Sequence, residues 1–151
     1  MSRTARQSGK LANSRGKQFE REISTYLGLE LGFKFSRNLE QTRTAGLGDL
    51  LCDDPDFPYT LELKRRQHGN MIPSGAWAQA VTAANIEQGI YPAVIYKYDR
   101  RNSRAVVPFA AIAECETGQR TDNIKDKADI SLPRFCKVVR EIMAWRAERV
   151  A

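Results

Sequence analysis

The sequence has little of the chemistry that many catalytic sites require. It contains one histidine, His68, so neither a histidine-based metal site nor a Ser-His-Asp triad can be assembled from this chain alone. Its three cysteines, Cys52, Cys115 and Cys136, are widely spaced, and no pair has the spacing of zinc ligands. We therefore expect reduced thiols in a cytoplasmic protein, free or associated with the nucleoid.

Long apolar runs are also missing. No stretch approaches the length of a membrane-spanning helix, and the N-terminus lacks the apolar core of a secretory signal. Positive charge is what the chain has in excess, with a net charge of +6 over 151 residues. This balance favours a polyanionic partner, nucleic acid first, although a basic surface without a specific partner is the alternative.

The pattern along the chain predicts a flexible basic arm over residues 1–15 and one domain over residues 16–151. Apolar periodicity predicts helices over residues 16–31, 74–88 and 132–150, with a short one over 109–115. Alternation predicts strands over 33–39, 49–52, 59–64, 91–98 and 104–109. Residues 116–131 are polar and predict a long loop.

The domain is organised around the two central strands. Asp49 opens the first, and on the second Glu62 and Lys64 project from one face, about 7 Å apart at the backbone. If the strands pair, Asp49 approaches Glu62, and two carboxylates on a rigid sheet suit Mg²⁺ or Mn²⁺. Lys64 could hold a water or offset developing negative charge. A solvated strand edge is the alternative for Glu62-Leu63-Lys64 alone.

An acid opening one strand and Glu-Leu-Lys on the next resemble the motif of the PD-(D/E)XK nuclease superfamily, with Gly48 where the family has its leading proline. The resemblance implies an α/β fold with a restriction-endonuclease-like core. Such a core has a central mixed sheet of about five strands flanked by helices, here in the order α-β-β-β-α-β-β-α. It also implies an endonuclease that hydrolyses DNA phosphodiesters with Mg²⁺, for which Mn²⁺ can substitute.

The resemblance assigns further residues to the site. A glutamate on the first helix completes the metal site in many of these nucleases, and Glu20 is favoured over Glu22, which lies about 200° round the helix. A glutamine on the helix after the lysine strand matches Gln79, with a solvent-facing side chain as the alternative. The implied catalytic residues are Glu20, Asp49, Glu62, Lys64 and Gln79. The implied metal ligands are Asp49, Glu62, Glu20 and the carbonyl of Leu63.

Basic residues of the arm, of the loop before Asp49 and of the turn after Lys64 are the predicted DNA contacts. They are Arg3, Arg6, Lys10, Arg15, Arg37, Arg43, Arg65, Arg66 and His68. For His68, an ordinary turn residue is the alternative.

Within the superfamily, the closest resemblance is to the small archaeal-type Holliday junction resolvases, through Arg15-Gly16-Lys17-Gln18-Phe19-Glu20. It implies a homodimer that cuts four-way junctions, with the hairpin over residues 91–109 and the Trp145 face of the last helix as candidate contacts. The alternatives are a phage or mobile-element nuclease that acts on duplex DNA, and a non-catalytic DNA-binding protein on the same fold.

Overall fold

The computed structural model describes residues 4–39 and 48–151, and these form one mixed sheet with helices on both faces. The four helices are α1 (Ala5–Leu31), α2 (Ala76–Ala83), α3 (Phe109–Thr117) and α4 (Leu132–Val150). The six strands are β1 (Phe35–Arg37), β2 (Leu50–Cys52), β3 (Tyr59–Arg66), β4 (Tyr91–Tyr98), β5 (Arg104–Pro108) and β6 (Lys127–Ser131). Within the described ranges, no helix is long and apolar enough to cross a membrane.

The strands lie in the sheet in chain order, β1 to β6. The first three strands form an antiparallel meander, β4 joins β3 in parallel after the crossover through α2, and β5 and β6 continue antiparallel. This mixed sheet flanked by helices confirms the predicted fold class.

Two apolar layers hold the helices against the sheet. On one face, Phe19, Ile23 and Leu27 of α1 and the buried stripe of α4 pack on Leu61 and the other inward residues of the strands. On the opposite face, the smaller α2 packs through Ala76 and Ala80 on Val94, Tyr96 and Val106. Because strand side chains alternate between faces, Leu61 and Leu63 belong to the first layer while Glu62 and Lys64 project on the α2 side.

The N-terminal segment is not the flexible arm that its composition predicts. From Ala5 onwards it is helical and continuous with the predicted helix, so residues 5–15 belong to α1. Thr4 and Gln7 form a reciprocal capping box, which satisfies backbone N–H groups at the helix start. The helix ends at Gly32, which adopts the left-handed conformation with φ of 77°.

The polar segment 116–131 also differs from its prediction. Its last part forms β6, which adds a sixth strand along β5. The strand is short and half-exposed, and Asp129 anchors it through Arg104 at 2.7 Å and through the Tyr96 hydroxyl. A strand at the edge of a sheet needs no apolar run, which is why alternation did not reveal it.

Both segments predicted as candidate dimer contacts also make contacts within the chain. Strands β4 and β5 each have a neighbour on both sides, so the hairpin over residues 91–109 offers no free strand edge. Trp145 donates a hydrogen bond from Nε1 to the Cys115 carbonyl at 3.0 Å, and its ring lies against Gly118. The homodimer and its contact surfaces therefore stay a prediction.

A fully buried carboxylate ties α3 to α4. Glu114 accepts hydrogen bonds from Arg146 at 2.8 and 3.0 Å and from the Tyr91 hydroxyl at 2.5 Å. Burial by itself would raise the pKa of Glu114, but the hydrogen bonds from Arg146 and Tyr91 and the Arg146 charge hold that pKa below its usual range. The carboxylate is therefore ionised and satisfied.

Replacing Glu114 by glutamine should destabilise the fold, because it leaves the Arg146 charge without its partner. We expect the free energy of unfolding to fall by about 3 kcal/mol, the low end for a broken buried pair, because Arg146 keeps some solvent contact. A carboxyl group with a depressed pKa stabilises the fold above its unfolded pKa, and this contribution is lost as the pH falls through the folded value. Urea unfolding from pH 7 to pH 3 should therefore show a smaller loss in the variant, and Glu116→Gln, an exposed change on the same helix, should behave as wild type.

Candidate active site

Strand β3 carries the two polar side chains of the Glu-Leu-Lys motif on one face. Leu61 and Leu63 are buried on the other face, which fixes the strand's orientation. The Lys64 ammonium lies 3.2 Å from Glu62 Oε1, and the two side chains are only 18% and 13% exposed. Both charges are therefore sheltered from water, where electrostatic interactions are stronger than on an open surface.

Two hydrogen bonds hold Asp49 against β3, and a third ties it to Asn38 on the other side. Its backbone N–H donates to the Leu61 carbonyl at 2.7 Å, and its carbonyl accepts from the backbone of Asn38 at 2.9 Å. Its carboxylate Oδ2 accepts from the Leu63 N–H at 2.8 Å. The pairing of Leu50 with Leu61 sets Asp49 opposite Glu62, so the Asp49 carboxylate lies beside the Glu62–Leu63 peptide. The register thus places Asp49 opposite Glu62, and the convergence of their carboxylates on one metal ion stays a prediction.

Gly48 allows this close approach. A Cβ atom built on Gly48 would lie 2.1 Å from the Leu61 carbonyl oxygen and 2.7 Å from its carbon, so no side chain fits there. The Gly48 carbonyl accepts a hydrogen bond from the Asn38 side chain at 2.9 Å. The residue that departs from the family's proline is therefore required by the contact between this backbone and β3.

Glu20 makes a close ion pair with Arg37, whose Nε lies 2.5 Å from its Oε2. Glu22 is exposed and accepts a hydrogen bond from Gln18. Glu20 and Lys64 line the same cleft, as expected of a helix glutamate that faces the site. Among residues 4–39 and 48–151, however, no three Asp, Glu, His or Cys side chains are grouped to hold a metal ion, so a role for Glu20 as a ligand stays a prediction.

The cleft has a volume of about 1510 Å³ and lies between the first half of α1 and the ends of β1 and β3. Seven arginine and lysine side chains line its described walls, against the single carboxylate of Glu20. Such an excess of positive charge around a concave surface suits a polyanion.

The predicted DNA contacts fall into three groups. Arg15, Arg37, Arg65, Arg66 and His68 all line the cleft. Arg6 and Lys10 are exposed on α1 outside its lining. Arg3 and Arg43 lie outside the described residues.

Gln79 lies on the exposed side of α2 and is not among the residues that line the cleft, so its catalytic role stays a prediction. Two other residues serve the site without having been predicted. Asn38 is buried and holds the backbone on both sides of Asp49 in place, and Asp99 lies between arginines of the cleft wall. An asparagine that ends a strand is the only signal for Asn38, and none was evident for Asp99.

The donors around the motif fit a hard divalent cation. Asp49 lies opposite Glu62 in the register of the two strands, and its carboxylate accepts from the Leu63 N–H. The N–H and C=O of one residue in a strand point to the same side, so the Leu63 carbonyl faces the Asp49 side as its N–H does. Two carboxylates and a carbonyl are oxygen ligands of the kind that Mg²⁺ and Mn²⁺ prefer.

A family model described as "Phage putative PDDEXK endonuclease" matches residues 12–145, nearly the whole chain and all of the motif. The chain belongs to this PDDEXK endonuclease family. It is thus a nuclease of the PD-(D/E)XK superfamily, as its sequence motif predicts.

Among solved structures, the chain is similar to the Holliday junction resolvase Hjc from Archaeoglobus fulgidus. The sequence identity is 18%, the TM-score is 0.47, and the match covers 83% of this chain and 92% of that one. A likeness at this level carries no argument about substrate. No curated protein matches the chain.

Replacing Gly48 by alanine should disrupt the PDDEXK site, because the added Cβ forces the backbone away from Leu61. We expect a loss of about 1–3 kcal/mol in the free energy of unfolding, as for overpacked cores, and a loss of nuclease activity. Urea unfolding and a cleavage assay would measure the two effects.

Gly9→Ala is the matched control, since a Cβ on Gly9 meets no atom within 4 Å. It should slightly stabilise α1 through its better helix propensity and leave cleavage unchanged. A Gly48→Ala protein with wild-type stability and activity would show that the close contact between β2 and β3 is not needed.

Proposed function

We propose that the protein is a divalent-cation-dependent DNA endonuclease that prefers branched DNA, with four-way junctions as the first substrate to test. The observation that carries the proposal is the hydrogen bond from the Leu63 N–H to the Asp49 carboxylate, which sets one acid of the motif beside the Glu62–Leu63 peptide. Lys64 lies beside Glu62 and lines the basic cleft. A catalytic centre and a polyanion surface therefore adjoin one another.

In this proposal the Asp49 and Glu62 carboxylates and the Leu63 carbonyl hold Mg²⁺, with Mn²⁺ as a substitute. When bound, the cation would supply Lewis-acid stabilisation and activate water for attack on a phosphodiester. Lys64 positions the attacking water and offsets the negative charge that grows on the phosphate in the transition state. Arg37, Arg65 and Arg66 hold the DNA backbone in the cleft through its phosphates.

The proposed preference for branched DNA is argued from the elements that surround the nuclease site. The helices and strands of the described ranges all belong to the sheet or pack on it, and none of them forms an additional base-reading module such as a helix-turn-helix. Recognition by shape and phosphate position then favours a structure-selective enzyme over a sequence-specific one. Two opposed cuts in a junction need two active sites, so the proposal includes a C₂ homodimer.

Lys64→Ala tests the catalytic part of the proposal. We expect cleavage to fall by about 10²-fold or more, because a charge that stabilises the transition state is lost, while affinity for DNA in Ca²⁺ stays within a few-fold of wild type. Lys64→Arg should not restore cleavage, because the guanidinium is wider and does not release a proton. Lys34→Ala is the control, an exposed lysine at the other end of the sheet, beside Asp53.

The same assay decides the substrate if labelled four-way junction, duplex and single-stranded DNA are compared with Mg²⁺ present. Paired symmetric cuts in the junction, with little duplex cleavage, are the expected result. Equal cleavage of duplex and junction would instead favour a phage or mobile-element nuclease without junction selectivity. Normal cleavage by Lys64→Ala would remove Glu62-Leu63-Lys64 from the catalytic centre.

Metal binding can be measured without cleavage. A cation that binds only the folded state stabilises it, by about 2.7 kcal/mol at a hundredfold excess over Kd. Mg²⁺ should therefore raise the Tm of the wild type, and Asp49→Asn should remove most of this increase. Glu22→Gln, on the exposed rival of Glu20, should keep the increase, and a Tm that Mg²⁺ leaves unchanged in the wild type would count against the metal site.

A further inference from the structure

One carboxylate joins two arginines from different elements at the wall of the cleft. Asp99 follows β4, and its Oδ1 lies 2.5 Å from Arg65 Nη2, while its Oδ2 lies 3.7 Å from Arg15 Nη1. Arg15 is on α1 and Arg65 is on β3. The Asp99 N–H donates to the Gln67 carbonyl at 3.3 Å, which fixes the turn against the chain that leaves β3.

The Arg15 guanidinium is not satisfied by this arrangement. Its Nη1 is buried, yet it makes no hydrogen bond within the described residues, because 3.7 Å to Asp99 is too long for one. A buried donor without an acceptor is destabilising and is uncommon in folded proteins. A ligand oxygen that accepts a hydrogen bond from Arg15 Nη1 would satisfy this donor.

Both arginines line the cleft that contains Lys64 and Glu20. Arginine's planar fork binds carboxylates and phosphates in the same way, through paired charged hydrogen bonds. In a cleft for DNA, the Asp99 carboxylate therefore lies where a phosphate would find two guanidinium groups. The sequence alone does not reveal this arrangement, since Arg15, Arg65 and Asp99 lie far apart in the chain, on α1, on β3 and after β4.

We propose that Arg15 and Arg65 form a binding site for a backbone phosphate of the nucleic acid, and that Asp99 occupies this site until the nucleic acid displaces it. The inference rests on the proposed function, because it requires that DNA enters the cleft. It assigns Asp99 a role as a competitor of the substrate and Arg15, on the extended part of α1, a role as a phosphate ligand.

The ion pairs are suited to such an exchange. The Asp99 side chain is 37% exposed, so its pairing is screened by solvent and is weak. The hydrogen bond from Arg65, with the charges of Arg65, Arg15 and His68, holds the pKa of Asp99 below its usual range. Asp99 is therefore charged at neutral pH, and a phosphate that brings further contacts along the cleft can replace it.

The test is the salt dependence of DNA binding in Ca²⁺, with a labelled duplex and a labelled junction. An arginine already paired with Asp99 gains less from a phosphate than an unpaired one does. Asp99→Asn should therefore bind more tightly and steepen the slope of log K against log salt by about one to two contacts, or about 0.9 per contact on duplex DNA. Asp99→Ser should do the same, which guards against a fault specific to asparagine.

Asp56→Asn is the matched control, because it removes the same charge from the exposed turn at the opposite end of β3. It should leave the slope unchanged. In an Arg15→Gln, Arg65→Gln background, Asp99→Asn should lose its effect, because no arginine remains to be released.

Three results would overturn the inference: an Asp99→Asn slope equal to that of wild type, an equal change in Asp56→Asn, or an effect that persists without the two arginines. The proposed function fails differently. A chain that binds no DNA, or binds without ever cleaving it, contradicts the nuclease proposal, whereas binding with an unchanged slope contradicts only the role of Asp99.

Discussion

The candidate active site depends on how closely the backbone at Gly48, just before β2, approaches β3. This backbone lies against the Leu61 carbonyl, and the following residue, Asp49, bonds to β3 through both its N–H and its carboxylate. One short strand pair thus fixes the distance between the two acids of the motif. Asn38 supports the same segment from β1, so the meander of three strands acts as a rigid frame for one carboxylate. A site that needs placement within about 0.5 Å is best built on such paired strands.

Ion pairs explain how several charged side chains can lie close together around the candidate site. Glu62 lies in the middle of β3 opposite Asp49, and Lys64 lies two residues further along the same strand. Glu20 with Arg37, and Glu62 with Lys64, are oppositely charged pairs at close range. Pairing of this kind lets like charges come together without unpaired buried ions. The excess cations remain on the cleft wall, which is where a polyanion needs them.

The elements predicted correctly from the sequence are those with a local signal, such as an apolar stripe, a helix cap or an alternation of apolar and polar residues. Helix α4 has the predicted bounds, because its apolar stripe and Ser131 cap are both local signals. The alternation of β3 likewise identified the face that carries Glu62 and Lys64. The predicted start of α1 was wrong because glycine, serine and asparagine favour turns over helix interiors, and the capping box at Thr4 has to be weighed against them. The predicted loop over residues 116–131 missed the edge strand β6, because β6 is held by its pairing with β5 and has no apolar alternation in its sequence.

The two residues that support the site from outside the motif, Asn38 and Asp99, could not be predicted from local sequence signals. Asn38 and Asp99 act through partners 10 or more residues away, and neither type has a spacing rule that would reveal the contact. Only the paired strands bring Asp99 to Arg65, and only the continuation of α1 past residue 16 brings Arg15 to the same carboxylate. The helix that composition predicted to be a loose, phosphate-tracking arm is thus a wall of the cleft. A basic segment held in one conformation can select the shape of a polyanion, because its charges are fixed relative to Glu62 and Lys64 on β3, whereas the charges of a mobile arm adapt to any shape.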